Sequence, residues 1–159
     1  MARRGELDPE DSKAARAAAL DMLARRDHPA GEVASKLRVK GFSAGVAAQV
    51  AADLVGENLI NDRRFVEHFV AYHAGRGQGP LKIRAELRHT GLDSALVEEF
   101  LDAYAQWNDR AREAREKKFG SRVCDDYAQK ARQARFLAQR GFTGSHIRSA
   151  LDFDPDDET

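Results

Sequence analysis

The sequence predicts an all-α protein made of three tandem three-helix repeats of the helix-turn-helix type. Its 159 residues combine 42% hydrophobic and 33% charged residues with only 12 Gly and 4 Pro, a composition typical of soluble helical proteins. A pattern of leucine, glycine and a helix-capping residue recurs three times at a spacing of 50 residues. No segment has the pattern of a credible strand. Together these observations favour a repeat protein with helices as its only regular elements.

In each repeat, the recurring pattern predicts the end of one helix and the start of the next at equivalent positions. Leu37, Leu87 and Leu137 coincide at this spacing, and a glycine follows each of them four residues later. Glycine ends a helix because it adopts the left-handed conformation without steric cost. The next residue is apolar and can pack back on that helix, and the one after it, Ser, Asp or Thr, can cap the following helix. The predicted turn positions are Gly41, Phe42, Gly91, Leu92, Gly141 and Phe142.

The first repeat begins with the helix-start signal Asp8-Pro9-Glu10-Asp11. We expect Asp8 to cap the first helix and Pro9 to occupy its first position, where a missing N–H costs nothing. The helix should run to about Arg26, and Pro29 should start the second helix. The residues expected to be buried in the first helix are Ala15, Ala19, Leu20 and Leu23.

The second and third repeats begin with similar signals. Asn61-Asp62 should cap a helix that ends at the glycine-rich segment 75–79, after which Pro80 opens the next helix. In the third repeat, residues 108–118 should be helical, and Asp125-Asp126 should start the helix that follows. The apolar stripe expected in the first helix of the second repeat consists of Phe65, Val66, Phe69, Val70 and Tyr72.

The repeats predict the division of the chain. Residues 1–60, 61–107 and 108–151 should each form one three-helix repeat, and residues 152–159 should form a disordered acidic tail. Because each small repeat needs neighbours to complete its core, the repeats should stack into an array.

Charge is balanced overall but unevenly distributed. The 26 basic residues equal the 26 acidic ones, which excludes a uniformly basic coat for nucleic acid. Residues 61–92 carry 6 basic and 3 acidic residues, net +3, and residues 108–150 carry 11 basic and 5 acidic residues, net +6. The tail carries five acids and no base. Two interpretations stay open: solvated helix faces, or two basic surfaces with an acidic tail that competes for them.

Cations on the second helix of each repeat are the candidate contacts with phosphates or with an acidic protein. Equivalent helices that each present basic side chains would form a periodic basic ridge able to meet phosphates or an acidic protein groove. The same residues could equally be the solvated side of amphipathic helices. They are Lys36, Arg38, Lys40, Lys82, Arg84, Arg88, Arg132, Arg135 and Arg140.

The sequence predicts no catalytic, metal or cofactor site. The spacing Gly75-x-Gly77-x-Gly79 does not match a phosphate-binding loop, and no strand precedes it. The five histidines lack zinc-ligand spacing, and the one cysteine, Cys124, excludes an internal disulfide framework. No stretch approaches the roughly 20 apolar residues of a membrane span, and the N-terminus turns acidic where a signal peptide would be apolar. We therefore expect a reduced, cytoplasmic protein.

Four motifs give the sequence a resemblance to the RecX family of recombination regulators. They are KLRVKGF at residues 36–42, LINDRRF at 59–65, GPLKIRAEL at 79–87 and RGFT at 140–143. Each motif is weak alone, but their order and spacing form a specific set, and the resemblance covers about residues 14–151.

The resemblance implies a fold and a function. RecX-like proteins consist of three tandem three-helix repeats in an elongated, curved array. They bind the RecA protein and the RecA–single-stranded DNA filament, and mainly inhibit its ATPase, strand-exchange and co-protease activities. The implied protein is a non-enzymatic, monomeric regulator without a cofactor, with weak direct binding to single- or double-stranded DNA. The alternative function is that of a tandem helix-turn-helix regulator acting directly on DNA.

Overall fold

Helices form all the regular secondary structure in residues 5–122 and 125–152, the ranges that the structure describes. The structure is a computed structural model. Within those ranges the all-α class is confirmed, with nine helices in the predicted order. The helices are α1 (Ser12–Arg25), α2 (Ala30–Val39), α3 (Ala44–Gly56), α4 (Asp62–Gly75), α5 (Pro80–Leu87), α6 (Ser94–Ala103), α7 (Trp107–Phe119), α8 (Tyr127–Gln139) and α9 (Gly144–Leu151). Cys124 and the predicted tail beyond Asp152 lie outside the described ranges.

The chain forms two compact units. Unit 1 contains the residues up to Phe65 together with His89–Asp93, and unit 2 contains Val66–Arg88 and the residues from Ser94 onward. In unit 1, α1, α2 and α3 pack on one another around an apolar core. In unit 2, α7, α8 and α9 pack on one another, and α5 packs on α6.

The three predicted turns are confirmed. Gly41, Gly91 and Gly141 have φ angles of +110°, +75° and +95°, the left-handed region that favours glycine. Phe42 and Phe142 are buried after two of these glycines, and Leu92 is half-buried after the third. The side chains of the next residues cap two helices. Ser43 Oγ accepts from Val46 N at 3.2 Å, and Thr143 Oγ1 accepts from His146 N at 3.4 Å.

In unit 1, the start of α2 docks on a turn of the second repeat. A Cβ on Gly31 would lie 3.0 Å from Cα of Gly91 and 3.1 Å from the carbonyl oxygen of Thr90. Pro29 stands at the N-cap position of α2 and offers no side-chain acceptor. Asp62 supplies one instead, because its Oδ1 accepts from Ala30 N at 2.9 Å. The second repeat thus supplies both a contact surface and a cap for the second helix of the first.

In unit 2, the start of α5 docks on the Gly141 turn by backbone contact. Gly79 N donates to the carbonyl oxygen of Arg140 at 2.7 Å, and Leu81 N donates to that of Gly141 at 2.9 Å. A Cβ on Gly79 would overlap backbone atoms of Gly141 and Phe142. This approach therefore requires glycine at position 79 and makes the contact the counterpart of the one in unit 1.

The predicted start of the first helix was wrong by three residues. Asp8 Oδ1 accepts from Glu10 N at 2.9 Å and so forms a turn before the helix. Asp11 is the actual cap of α1, with its Oδ1 accepting from Ala14 N at 3.0 Å. The turn also brings the carbonyl oxygen of Pro9 to 2.9 Å from Ser43 N. The contact with the Ser43 segment therefore takes Pro9 out of the helix.

Two residues predicted to be buried are exposed. Leu20 is 37% exposed because the buried stripe of α1 runs through Ala15, Ala19 and Met22, and Leu20 lies about 100° around the helix from Ala19. Tyr72 is 60% exposed on α4, where Ala74 is buried in its place.

Two histidines should make the fold sensitive to acid. Burial lowers the pKa of His28 and of His146 below the ordinary value of 6.5. His28 Nδ1 donates to the carbonyl oxygen of Arg26 at 3.0 Å. Its Nε2 lies 3.4 Å from Lys36 Nζ, and it can accept a hydrogen bond from that ammonium only while the ring is neutral. His146 Nδ1 accepts from Thr143 N at 3.2 Å, which also requires a neutral ring.

The expected result is a loss of stability as the pH falls through about 6.5. The unfolded chain then takes up protons that the folded chain does not, so the free energy of unfolding decreases until the lowered pKa of the folded state is passed. Urea unfolding between about pH 7.5 and pH 5.5 measures this decrease. His28→Gln should flatten it, and an unchanged pH dependence in this variant would contradict the assignment to His28.

Candidate functional site

The predicted cations of the first repeat lie on α2 and at its C-cap, and one of them is engaged in an ion pair. Lys36 Nζ lies 3.2 Å from Glu32 Oε1, and Arg26 Nη2 lies 2.7 Å from the same oxygen. Arg38 and Lys40 are exposed. Lys36 and Lys40, but not Arg38, border a cleft of about 340 Å³ in unit 1, which is lined by Asp21, Met22, Arg25, Arg26, His28, Lys36 and Lys40. Carboxylates within unit 1 therefore already neutralise much of its charge.

The predicted cations on α5 have three different environments. Arg84 forms a bidentate ion pair with Glu98, in which its Nη2 lies 2.9 Å from Glu98 Oε2. This hydrogen bond raises the pKa of Arg84 and lowers the pKa of Glu98, so both groups stay charged and engaged with each other. Lys82 is half-buried against the Gly141 turn, whereas the Arg88 side chain is exposed. Of the three, Arg88 is the one whose side chain is exposed to solvent.

The predicted cations of the third repeat lie on α8 and at its end. Arg135 is exposed, and Arg132 is exposed with its guanidinium carbon 5.8 Å from the ring centroid of Phe119. Arg140 is half-buried, and its Nη2 donates to the carbonyl oxygen of Arg76 at 3.0 Å. Its Nε is buried without a hydrogen-bond partner. Arg140 is thus tied to the segment after α4 by a hydrogen bond to the backbone.

A cleft of about 440 Å³ in unit 2 brings Arg140 together with four other cations. The end of α4 with the segment after it, one side of α7 from Arg110 to Lys118, and the end of α8 form its walls. Its lining is Gly75, Arg76, Gly77, Arg110, Glu113, Ala114, Lys117, Lys118, Phe136 and Arg140. Five cations face one carboxylate there, so the cleft is strongly positive. We call it the basic cleft.

One cation of the basic cleft is neutralised within unit 2. Arg110 Nη1 lies 2.9 Å from Glu113 Oε2, and its Nε donates to Tyr104 Oη at 2.9 Å. The bond to Tyr104, followed by the one to Glu113, raises the pKa of Arg110. Across residues 5–122 and 125–152, no carboxylate pairs with the other four cations of the cleft. These four, Arg76, Lys117, Lys118 and Arg140, supply the net positive charge of the site.

Aromatic rings organise the cations of the basic cleft. Lys118 Nζ lies 5.2 Å from the ring centroid of Phe136, and the Arg140 guanidinium carbon lies 5.8 Å from it. At the segment after α4, the Arg76 guanidinium carbon lies 5.6 Å from the ring centroid of Tyr72. Arg76 Nη1 also donates to Tyr72 Oη at 3.2 Å. These cation–π contacts fix the cations in place without neutralising their charge.

Sequence analysis missed four of the five cations in this cleft. Only Arg140 was among the candidates, whereas Arg76, Arg110, Lys117 and Lys118 were not. Two signals were present in the sequence: the net charge of +6 in residues 108–150, and the arginine inside the glycine-rich segment 75–79. Neither signal shows that these residues meet.

The structure offers no metal site in the part of the chain that it describes, since no three His, Cys, Asp or Glu side chains there could hold an ion together. Nor does any helix among those residues have the length and apolar character needed to cross a membrane. With five cations and one carboxylate in its lining, the basic cleft is suited to binding an anionic group.

Comparison with protein families identifies all three repeats. Residues 15–54, 61–101 and 106–151 match the models for the first, second and third three-helix domains of RecX. The chain is 43% identical over 149 residues to the regulatory protein RecX of Halorhodospira halophila, covering 92% of each chain. It is 39% identical over 140 residues to the regulatory protein RecX of Stenotrophomonas maltophilia, covering 87% of this chain and 86% of that one.

Solved structures show the same fold. The crystal structure of RecX from Lactobacillus salivarius superposes with a TM-score of 0.79 at 23% identity, covering 89% of this chain and 95% of that chain. With the three domain matches and the curated relatives, this similarity leads to one conclusion: the chain belongs to the RecX family of regulatory proteins.

Proposed function

We propose that this protein is a non-enzymatic regulator, mainly an inhibitor, of the RecA recombinase. In this proposal it binds the RecA–single-stranded DNA filament as a cytoplasmic monomer and lowers its ATPase, strand-exchange and co-protease activities. Membership of a family whose relatives are named regulatory proteins supports a regulatory role. The observation that carries the proposal further is the basic cleft, where no carboxylate of residues 5–122 and 125–152 pairs with four of the cations, and where the phosphates of a filament would supply the counter-charge.

ATP hydrolysis by RecA on single-stranded DNA tests this function. The expected result is a rate that falls progressively as the protein is added, because a bound regulator either removes RecA protomers from the DNA or prevents their turnover. The protein alone, without RecA, provides the control and should hydrolyse no ATP. A RecA rate that stays constant up to a molar excess of the protein would contradict the proposal.

The alternative, a tandem helix-turn-helix regulator that reads duplex DNA, has less support. Sequence-specific readers place base-contacting polar side chains early in a recognition helix. The helices α3, α6 and α9 begin with Ala-Gly-Val, Ser-Ala-Leu and Gly-Ser-His, which offer few such groups. Filter binding with specific and random duplexes, with and without RecA filaments, distinguishes the two functions, because only the alternative requires tight binding to a particular duplex.

A further inference from the structure

We propose that the basic cleft of unit 2 binds a single-stranded nucleic acid, with phosphates on its cations and a base stacked on Tyr72. The inference rests on the proposed function, since it assigns the DNA strand of the filament to one surface of this protein. It goes beyond that function by naming the ligand, the cleft and the residue that distinguishes a single strand from a duplex.

The charges of the cleft match a phosphate backbone. Arg76 comes from the segment after α4, Lys117 and Lys118 from the last turn of α7, and Arg140 from the end of α8. Cations on three separate segments can follow successive phosphates of a strand, as basic grooves for single strands do. Because no carboxylate in the described ranges pairs with these four, a phosphate would not have to displace an internal ion pair to bind them.

Tyr72 supplies the feature that phosphate binding alone does not require. The residue is 60% exposed, yet Arg76 holds it through a hydrogen bond of 3.2 Å to Tyr72 Oη and a guanidinium 5.6 Å from the ring centroid. An aromatic ring that is held by a cation of the cleft and open to solvent is a platform on which a base can stack. Phe136 is less suited to stacking, because it is half-buried and two cations, Lys118 and Arg140, lie over its ring. Tyr72, in contrast, is exposed and has Arg76 over its ring.

The exposed ring of Tyr72 favours a single strand over a duplex as the ligand. A base in a duplex is paired and stacked between its neighbours, so it cannot reach an exposed tyrosine without leaving the helix. A base in a single strand can stack on any aromatic face, whatever its identity. Tyr72 should therefore add affinity for a single strand and none for a duplex, whereas the cations should add affinity for both.

Fluorescence anisotropy with labelled thymidine oligonucleotides, without RecA, tests the stacking. Tyr72→Ala should weaken binding of a strand of about 16 nucleotides by about fivefold or more, the lower end of what one stacked base contributes. Tyr72→Phe keeps the ring and should stay within about twofold of the parent, since only the hydroxyl bonded to Arg76 is lost. Both variants should bind a duplex of equal length as the parent does.

Two paired substitutions test the cations. Lys117→Gln with Lys118→Gln should weaken binding roughly tenfold or more near 0.1 M salt and lower the salt slope by about 1.4, the value for two phosphate contacts with a single strand. Arg112→Gln with Arg122→Gln removes the same charge from exposed residues of unit 2 outside the cleft, and should change the slope little. Circular dichroism of each variant verifies its fold.

Three outcomes would overturn the inference. Equal losses in the two paired variants would mean that net charge, and not the cleft, governs binding. If Tyr72→Ala binds the single strand with the affinity of the parent protein, no base stacks on Tyr72. Poly-glutamate tests for an acidic protein ligand. If it competes with the strand, and if Tyr72→Ala weakens the binding of poly-glutamate itself, the cleft binds an acidic protein segment.

The test is independent of the proposed function. Inhibition of RecA by a protein whose cleft variants all bind the oligonucleotide like the parent would overturn this inference and leave the proposed function standing. Cleft-dependent binding of the oligonucleotide by a protein that leaves RecA hydrolysis unchanged would support the cleft assignment and contradict the proposed function.

Discussion

Replacing Gly79 with alanine should lower the free energy of unfolding of unit 2 by about 3 kcal/mol. The added Cβ would overlap the backbone of Gly141 and Phe142, which cannot move as a flexible side chain can. Relieving the overlap separates the start of α5 from the turn and weakens two backbone hydrogen bonds, Gly79 N to Arg140 O and Leu81 N to Gly141 O. The loss of stability therefore combines the cost of overpacking with the cost of two weakened hydrogen bonds.

The single tryptophan gives a direct measurement of this effect. Trp107 is 8% exposed in unit 2, so its fluorescence during urea unfolding reports on that unit. Gly75→Ala is the matched control, since Gly75 belongs to the same glycine-rich segment but a Cβ there would have nothing within 4 Å. An equal urea midpoint for Gly79→Ala and Gly75→Ala would show that the close approach at Gly79 is absent.

Substituting valine for the turn glycines should destabilise the protein in a fixed order, with Gly141 affected most and Gly41 least. All three have positive φ, which strains a β-branched residue. At Gly141 a Cβ would also lie 2.5 Å from the backbone N of Lys82, so we expect a loss of about 3 kcal/mol or more. At Gly41 the nearby atom belongs to the Leu7 side chain, which can move, and the loss should be about 1–2 kcal/mol.

Thermal melts of the three valine variants measure this order. Gly91→Val should be intermediate, because Gly31 approaches that turn less closely than Lys82 approaches Gly141. Similar shifts at Gly141 and Gly41 would mean that strain at positive φ accounts for the whole effect and that the contact between repeats adds nothing.

Local signals were sufficient to predict most helix boundaries. Glycine followed by an apolar residue and a capping residue correctly placed the starts of α3, α6 and α9, and Pro80 correctly placed the start of α5. These signals work because caps and left-handed turns depend on residues within four positions of one another. The start of α1 was misplaced because a contact between Pro9 and Ser43, distant in sequence, decided between two acidic caps.

The candidate site was beyond the reach of local signals. The basic cleft needs Arg76, Lys117 and Arg140 on three segments that are far apart in the sequence. The net charge of a sequence segment gives the excess of cations but does not show which of them pair with carboxylates. Arg84 and Lys36 were predicted as contacts, yet Glu98 and Glu32 hold them in ion pairs. Distinguishing free from neutralised cations requires the tertiary structure.

The second helices of the first two repeats, α2 and α5, each dock on the following repeat. This order affects how the chain folds during its synthesis on the ribosome. Gly31 contacts a turn that contains Gly91, 60 residues later, and Gly79 contacts one that contains Gly141, 62 residues later. At a rate of synthesis of about 5–20 residues per second, the turn that contacts each helix start is synthesised roughly 3–12 s after that helix start. A nascent chain of 60 residues therefore contains all three helices of the first repeat but still lacks part of its first compact unit.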